Sequence, residues 1–173
     1  MPLPTNQQEL WTRILILLQK NHGFVSREDV ESTLGLSFTS TETEGERLGG
    51  TQYFHSLRQE VPGLGLVSVG LRDNPAWIVL SLDWGPERAE TPHCLPLNQA
   101  TRDWNALGWQ PGSRTVGPGR GHLPFYRTAD WTVHLRDRKP LDVETGVSRL
   151  GLSMPSQLSQ CVNGTYAWIW RSE

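Results

Sequence analysis

Five histidines, two cysteines and two runs of spaced charge are the residues whose types could support chemistry in this chain. The histidines are His22, His55, His93, His122 and His134. None stands at a metal-ligand spacing, since HExxH and HxH are both absent. His22 precedes Gly23 at the expected end of a helix, where an imidazolium suits the negative end of the helix dipole. His55 and His134 alternate with apolar neighbours in strand-like stretches and read as outward-facing or as satisfied core residues. Cys94 and Cys161 have no CxxC spacing. Two buried free thiols is the plainer reading of the pair, and a single disulfide is the other. His93 and Cys94 are adjacent, but neighbouring side chains on a strand point apart, which argues against a Cys–His pair. No GxSxG elbow is present. The sequence therefore predicts no catalytic residue, no metal site and no cofactor.

The charged runs suggest recognition instead. In "TSTETEGER", residues 39 to 47, Glu42, Glu44 and Glu46 alternate, so on an ideal strand they share one face. They read as a solvated strand edge or as an acidic prong suited to a basic cleft on a partner. In "VGPGRGHLPFY", residues 116 to 126, Gly117, Gly119 and Gly121 surround Arg120. Such a loop could form an anion-holding nest, but between strands it reads as a hairpin. With its flanking aromatics it forms the second expected contact region. Trp109, Arg120, His122, Tyr126 and Arg127 are its candidate partner-binding residues. "NGT" at 163 to 165 has the form of a glycosylation sequon and reads as a turn.

Those residues need elements to hold them. Residues 8 to 22 are predicted helical, with Leu10, Trp11, Ile14, Leu15, Leu17 and Leu18 at helical spacing and Gly23 as a left-handed cap. A second helix, "SREDVESTLG", has Ser26 as N-cap, Asp29 three residues on, a Val25/Val30 staple and Gly35 at its end. From Leu36 the apolar period becomes two. "LSFTSTET", "TQYFHSL", "LGLVSVGLRD" and "AWIVLSLDW" are four expected strands. "NQATRDWNALG" is a further short helix, with Asn98 as N-cap. The order then repeats. Leu34-Gly35-Leu36 returns as Leu107-Gly108-Trp109, and Tyr53-Phe54 as Phe125-Tyr126. "VSVGLRD" returns as "WTVHLRD" at 131 to 137, and "AWI" at 76 to 78 as "AWI" at 167 to 169. The predicted fold class is α+β: two tandem, diverged units of one helix plus a four-stranded antiparallel sheet. The boundaries are 1–86 for the helical entry and first unit, 87–97 for a linker and 98–173 for the second unit.

A helix written "VSREDVESTLG" followed by an antiparallel meander, repeated once, resembles the tandem architecture of the β-lactamase inhibitor protein family. More loosely it is similar to small bacterial immunity proteins that neutralise a cognate toxin. The chain departs from the inhibitor family in lacking a cysteine pair within each copy. The resemblance implies inhibition by occlusion, in which a sheet face grips an enzyme and a loop plugs its active site. No catalytic residue is carried over.

Whole-chain properties agree with a protein-binding role. The 173 residues suffice for one domain or two small ones, and eight tryptophans supply buriable area. A net charge of −2 gives no basic footprint for nucleic acid and no polybasic membrane patch. The apolar run from Ile14 to Leu18 is too short for a membrane span and lacks the flanks of a signal peptide. The expectation is a non-enzymatic inhibitor or immunity protein with a cognate toxin or enzyme as partner. It would be cytoplasmic as written, or periplasmic if an export signal has been removed. The alternatives are a winged-helix DNA-binding regulator, suggested by the first two helices, and an unrecognised hydrolase. The Glu-rich stretch after Gly35 is a poor recognition helix and would repel phosphates.

Overall fold

A computed structural model describes residues 2–47, 49–85, 95–111, 115–117, 120–127, 148–154 and 161–171. At 47, 110, 111, 115–117, 120–127, 149, 153 and 154 the description covers the backbone alone. The chain opens with helix α1, Gln7–Gln19, capped by the Asn6 side chain, which accepts from Glu9 N. The helix ends earlier than its apolar spacing predicts. Lys20 is already extended, and a 3-10 turn follows in which Asn21 (φ 46) and His22 (φ 57) are left-handed. Asn tolerates this conformation because its side chain can bond locally, and here Asn21 Nδ2 donates to Phe24 O at 3.1 Å. Helix α2, Arg27–Leu34, forms as expected. Ser26 and Asp29 make both bonds of a capping box, and Gly35 (φ 72) closes the helix by donating to Glu31 O. Val25 and Val30 are buried at that entry.

Four strands then meander: β1 Ser40–Arg47, β2 Gly50–Val61, β3 Gly65–Asp73 and β4 Trp77–Asp83. After a two-residue strand β5, Leu95–Pro96, helix α3 spans Leu97–Ala106. Asn98 is not its N-cap, because the helix begins one residue before it and no side chain caps it. The remaining strands are β6 Trp109–Pro111, β7 Thr115–Gly117, β8 Arg120–Arg127, β9 Arg149–Met154, β10 Cys161–Val162 and β11 Gly164–Trp170. The expected repeat of "LRD" at 135 to 137 lies outside the described residues.

The fold is α+β. Among the described residues nine strands form one antiparallel sheet of order β1-β2-β3-β4-β11-β9-β8-β6, with β7 also pairing β8. β5 and β10 form a separate ribbon. The C-terminal strand β11 is central. It pairs with β4 on one side and β9 on the other, so the two "AWI" triplets meet with Ile78 opposite Ile169. Apolar residues at alternate positions (Leu57, Val67, Val69, Leu71, Ile78, Leu80, Leu82, Leu150, Leu152, Ala167 and Ile169) turn to one side and join the helices in one buried cluster. Each large apolar side chain so buried contributes about 1.5–3 kcal/mol. α1 and α3 meet over that layer. Trp11 and Trp104 pack at 5.4 Å, Trp11 Nε1 donates to Asp103, and Gln8 and Gln99 exchange side-chain amide bonds at 3.0 and 2.7 Å. Cys161 is disulfide-bonded, and Cys94 is the sequence's other cysteine. Of the two readings of the cysteines, this corrects the free-thiol one and bears out the disulfide; Cys161 stands on β10 opposite Pro96 of β5.

Candidate protein-binding face

The alternation that sends one set of side chains to the helices sends the other to the opposite face. Its register can be read rung by rung. One rung runs Glu42, Phe54, Arg72, Val79, Trp168. The next runs Ser40, Ser56, Gly70, Ser81, Tyr166, Gly151. A third runs Arg58, Ser68, Asp83, Gly164. Small residues thus fill the middle, between a rung with Phe54 and Trp168 and a rung with Arg58 and Asp83. Over β2, β3 and β4 they leave an open groove of about 390 Å³, lined by Phe54, Ser56, Arg58, Ser68, Gly70, Ser81 and Asp83 among others. Gly70 is the floor. A Cβ there would stand 3.1 Å from both the Phe54 ring and Ser81 Oγ.

The groove has a braced wall. The Arg72 guanidinium lies 4.5 Å over the Phe54 ring, and Arg72 Nε donates to Glu44 Oε1 at 3.1 Å. The other Glu44 oxygen accepts from Gln52 Nε2 at 3.2 Å. Across the seam, Trp77 packs on Trp168 at 5.5 Å and near Trp170 at 6.5 Å. Tyr166 lies directly over Gly151, where a Cβ would collide with the ring.

The expected contact residues are only partly gathered here. Glu42 and Glu44 belong to this face. Glu46 does not, which corrects the expectation that the three glutamates share a side. A bulge between Thr43 and Glu46, with Gly45 at φ 88, shifts the register by one residue. That shift turns Glu46 to the other side, where it accepts from Thr51 Oγ1. Nor is Glu44 a free prong, since Arg72 and Gln52 hold it half-buried. Trp109 is corrected as well: it is 4 % exposed and belongs to the core, so it cannot be a surface anchor. The backbone of β8 sets Tyr126 opposite Arg149 on the Phe54–Trp168 rung and His122 opposite Ser153 on the Arg58–Asp83 rung. Arg127 takes the register position opposite Trp109. Arg120 pairs with Gly117 between β7 and β8. The side chains of Arg120, His122, Tyr126 and Arg127 lie outside the described residues, as do His93, Cys94 and His134.

No family model matches the sequence, and no curated protein or solved structure is significantly similar to it.

Sequence reasoning missed a second polar arrangement. His55 is buried on β2. Its Nε2 lies 2.9 Å from Asp73 Oδ2 and its Nδ1 2.9 Å from Thr41 Oγ1. A carboxylate–imidazole–hydroxyl string is the order used to activate an alcohol. Here, however, Thr41 and His55 are direct cross-strand partners, and the ring is held between Phe38 and Tyr53 at 5.6 and 6.3 Å. The string ties β1, β2 and β3 together. Its residues are far apart in sequence, so only the strand register could have revealed it. Among the described residues no group of three or more His, Cys, Asp or Glu could hold a metal ion. None of the described helices is long and apolar enough to cross a membrane.

Proposed function

We propose that this protein is a non-enzymatic inhibitor of the immunity type, which binds a cognate toxin or enzyme and occludes its active site with the face of the sheet that no described helix covers. The observation that carries this reading is the asymmetry of the sheet. One face is sealed by helices. The other presents a groove, a braced Phe54–Arg72 wall and an aromatic strip along β4 and β11. Aromatic and arginine side chains on a rigid scaffold are the usual anchors of protein interfaces.

In the same reading the chain is a duplication. The strand order β1-β2-β3-β4 is followed by its reverse-order counterpart, β11-β9-β8-β6. A one-residue slip between β6 and β7 against β8 parallels the bulge of β1 against β2. These features support two units joined at β4 and β11, and they support the likeness to tandem inhibitor architectures. The disulfide at Cys161 favours an oxidising compartment, hence the exported alternative over the cytoplasmic one.

The test is capture with the tagged chain from lysate of its source organism, read by mass spectrometry, followed by co-expression. The supporting result is a stoichiometric partner that is toxic alone and harmless with this chain, and whose capture is lost with Phe54→Ala plus Trp168→Ala. A partner bound equally well by that double variant would sink the assignment of this face.

A further inference from the structure

We propose that the groove over Gly70 is a carboxylate-binding site that receives an aspartate or glutamate side chain from a protruding loop of the partner protein. This rests on the inhibitor reading and adds the chemistry of the contact. Arg58 is exposed at the groove wall and makes no ion pair among the described residues. The neighbouring cation of the face is already engaged, since Arg72 is held by Glu44 and Phe54. Three hydroxyls, of Ser56, Ser68 and Ser81, line the same groove, and no side-chain hydrogen bond among the described residues occupies them. The register fixes their arrangement. Ser56, Gly70 and Ser81 form one rung, and Arg58 with Ser68 stands on the next. A planar monoanion lying over Gly70 would meet the guanidinium at one end and hydroxyl donors along its length. Charge-assisted bonds of this kind are the strong ones.

The surroundings narrow the ligand. Asp83 stands on the Arg58 rung two strands away, roughly 10 Å by strand spacing, and Glu60 lies two residues after Arg58 on the same strand. These carboxylates disfavour a polyanion such as nucleic acid, which would have to lie across them, more than a single carboxylate placed against Arg58. The groove is also open along its length, so a free small acid would keep much of its surface in water, whereas small-molecule sites bury most of their ligand. A carboxylate carried on a protein loop is desolvated by the interface around it. That is the setting in which an arginine–carboxylate pair becomes a dominant contact. The glycine floor serves the same end, because a side chain at position 70 would fill the space and push on Phe54 and Ser81.

The first measurement uses the isotope-labelled full chain. It is titrated with acetyl-Gly-Glu-Gly-amide and with the Gln and Lys counterparts, following the amides of Ser68, Gly70 and Ser81 and the Arg58 side chain. The expected result is saturable binding of the Glu peptide in the millimolar range, at least tenfold weaker binding of the Gln peptide and none of the Lys peptide. Arg58→Gln is expected to weaken the Glu peptide at least tenfold, Arg58→Lys less, and Gly70→Ala measurably, each with the dispersed spectrum of the parent. Equal shifts with Glu and Gln peptides, or an Arg58→Gln chain that binds as well as the parent, would overturn the site. The two readings fail separately. A partner held equally by parent and Arg58→Gln chains removes this site and leaves the inhibitor reading. Selective binding of the Glu peptide with no partner in the organism leaves the site and removes the inhibitor.

Discussion

His55 shows how much a single residue can hold. It bonds Asp73 and Thr41, so one imidazole links three strands at the edge of the sheet. Replacing it with leucine keeps the bulk and removes both bonds. The expected cost is about 1–3 kcal/mol of stability by chemical denaturation, with the groove on the opposite face unaffected. Glu9 carries a pH dependence. Hydrogen bonds from the Thr5 hydroxyl and the Thr5 amide, then from Arg13, hold its pKa down to about 2 from an ordinary 4.5. A depressed carboxylate stabilises the fold above its unfolded pKa, and that contribution is lost as pH falls from about 4.5 through 2. Glu9→Gln is expected to be less stable than the parent at neutral pH and to lose less on acidification in that window, read from denaturation midpoints. The types of these residues were legible in the sequence, but their partners were not. Thr5 and Arg13 lie within a helical turn of Glu9 and could be guessed, whereas Thr41, His55 and Asp73 come together only through the register of three strands.

At the scale of elements, local signals were read well where a side chain caps a helix and poorly where tertiary packing decides. Ser26, Asp29 and Gly35 bound α2 as their spacing predicts, because the capping box and the left-handed cap are local. Asn98 has a capping residue's chemistry and does not cap, since α3 starts after Pro96. The paired prediction is that Ser26→Ala costs about 1 kcal/mol while Asn98→Ala is close to neutral, measured by thermal melts of the two variants side by side. The glutamate spacing in β1 was legible and its consequence was not. An unbroken strand would have aligned Glu42, Glu44 and Glu46, but Gly45 admits a bulge and the third side chain changes sides. Gly45→Val should disfavour the bulge, because a β-branched residue resists positive φ. The expected readout is loss of the backbone pairing of Glu46 and Arg47 with Thr51 and Gly50, seen as faster amide exchange there. Strands β2, β3 and β4 were visible from their alternation, whereas β1 begins at Ser40, four residues after the apolar period starts at Leu36. The groove was not visible, because serines and glycine at alternate positions carry no signal until neighbouring strands are set in register.

At the scale of the molecule, the halves share one core and one sheet. The disulfide at Cys161 secures the ribbon beside α3, and its reduction is expected to lower stability by about 2–4 kcal/mol. Denaturation with and without reductant checks this. An unchanged midpoint would remove the argument for an oxidising compartment.

The place of β11 in the sheet has a consequence for biosynthesis. The strands of the first half lie next to one another in sequence and can pair as they emerge from the ribosome, a set of short-range contacts that forms quickly. Their sheet then waits with β4 as a raw edge, carrying Trp77, Ile78 and Leu80, until β11, some eighty residues later, arrives to pair Asp83 with Gly164 and Trp77 with Trp170. An uncovered strand edge of that composition invites pairing with other nascent chains. Premature termination just before Gly164 therefore leaves a sticky fragment instead of a smaller working protein, because the strand that covers the β4 edge has not been made.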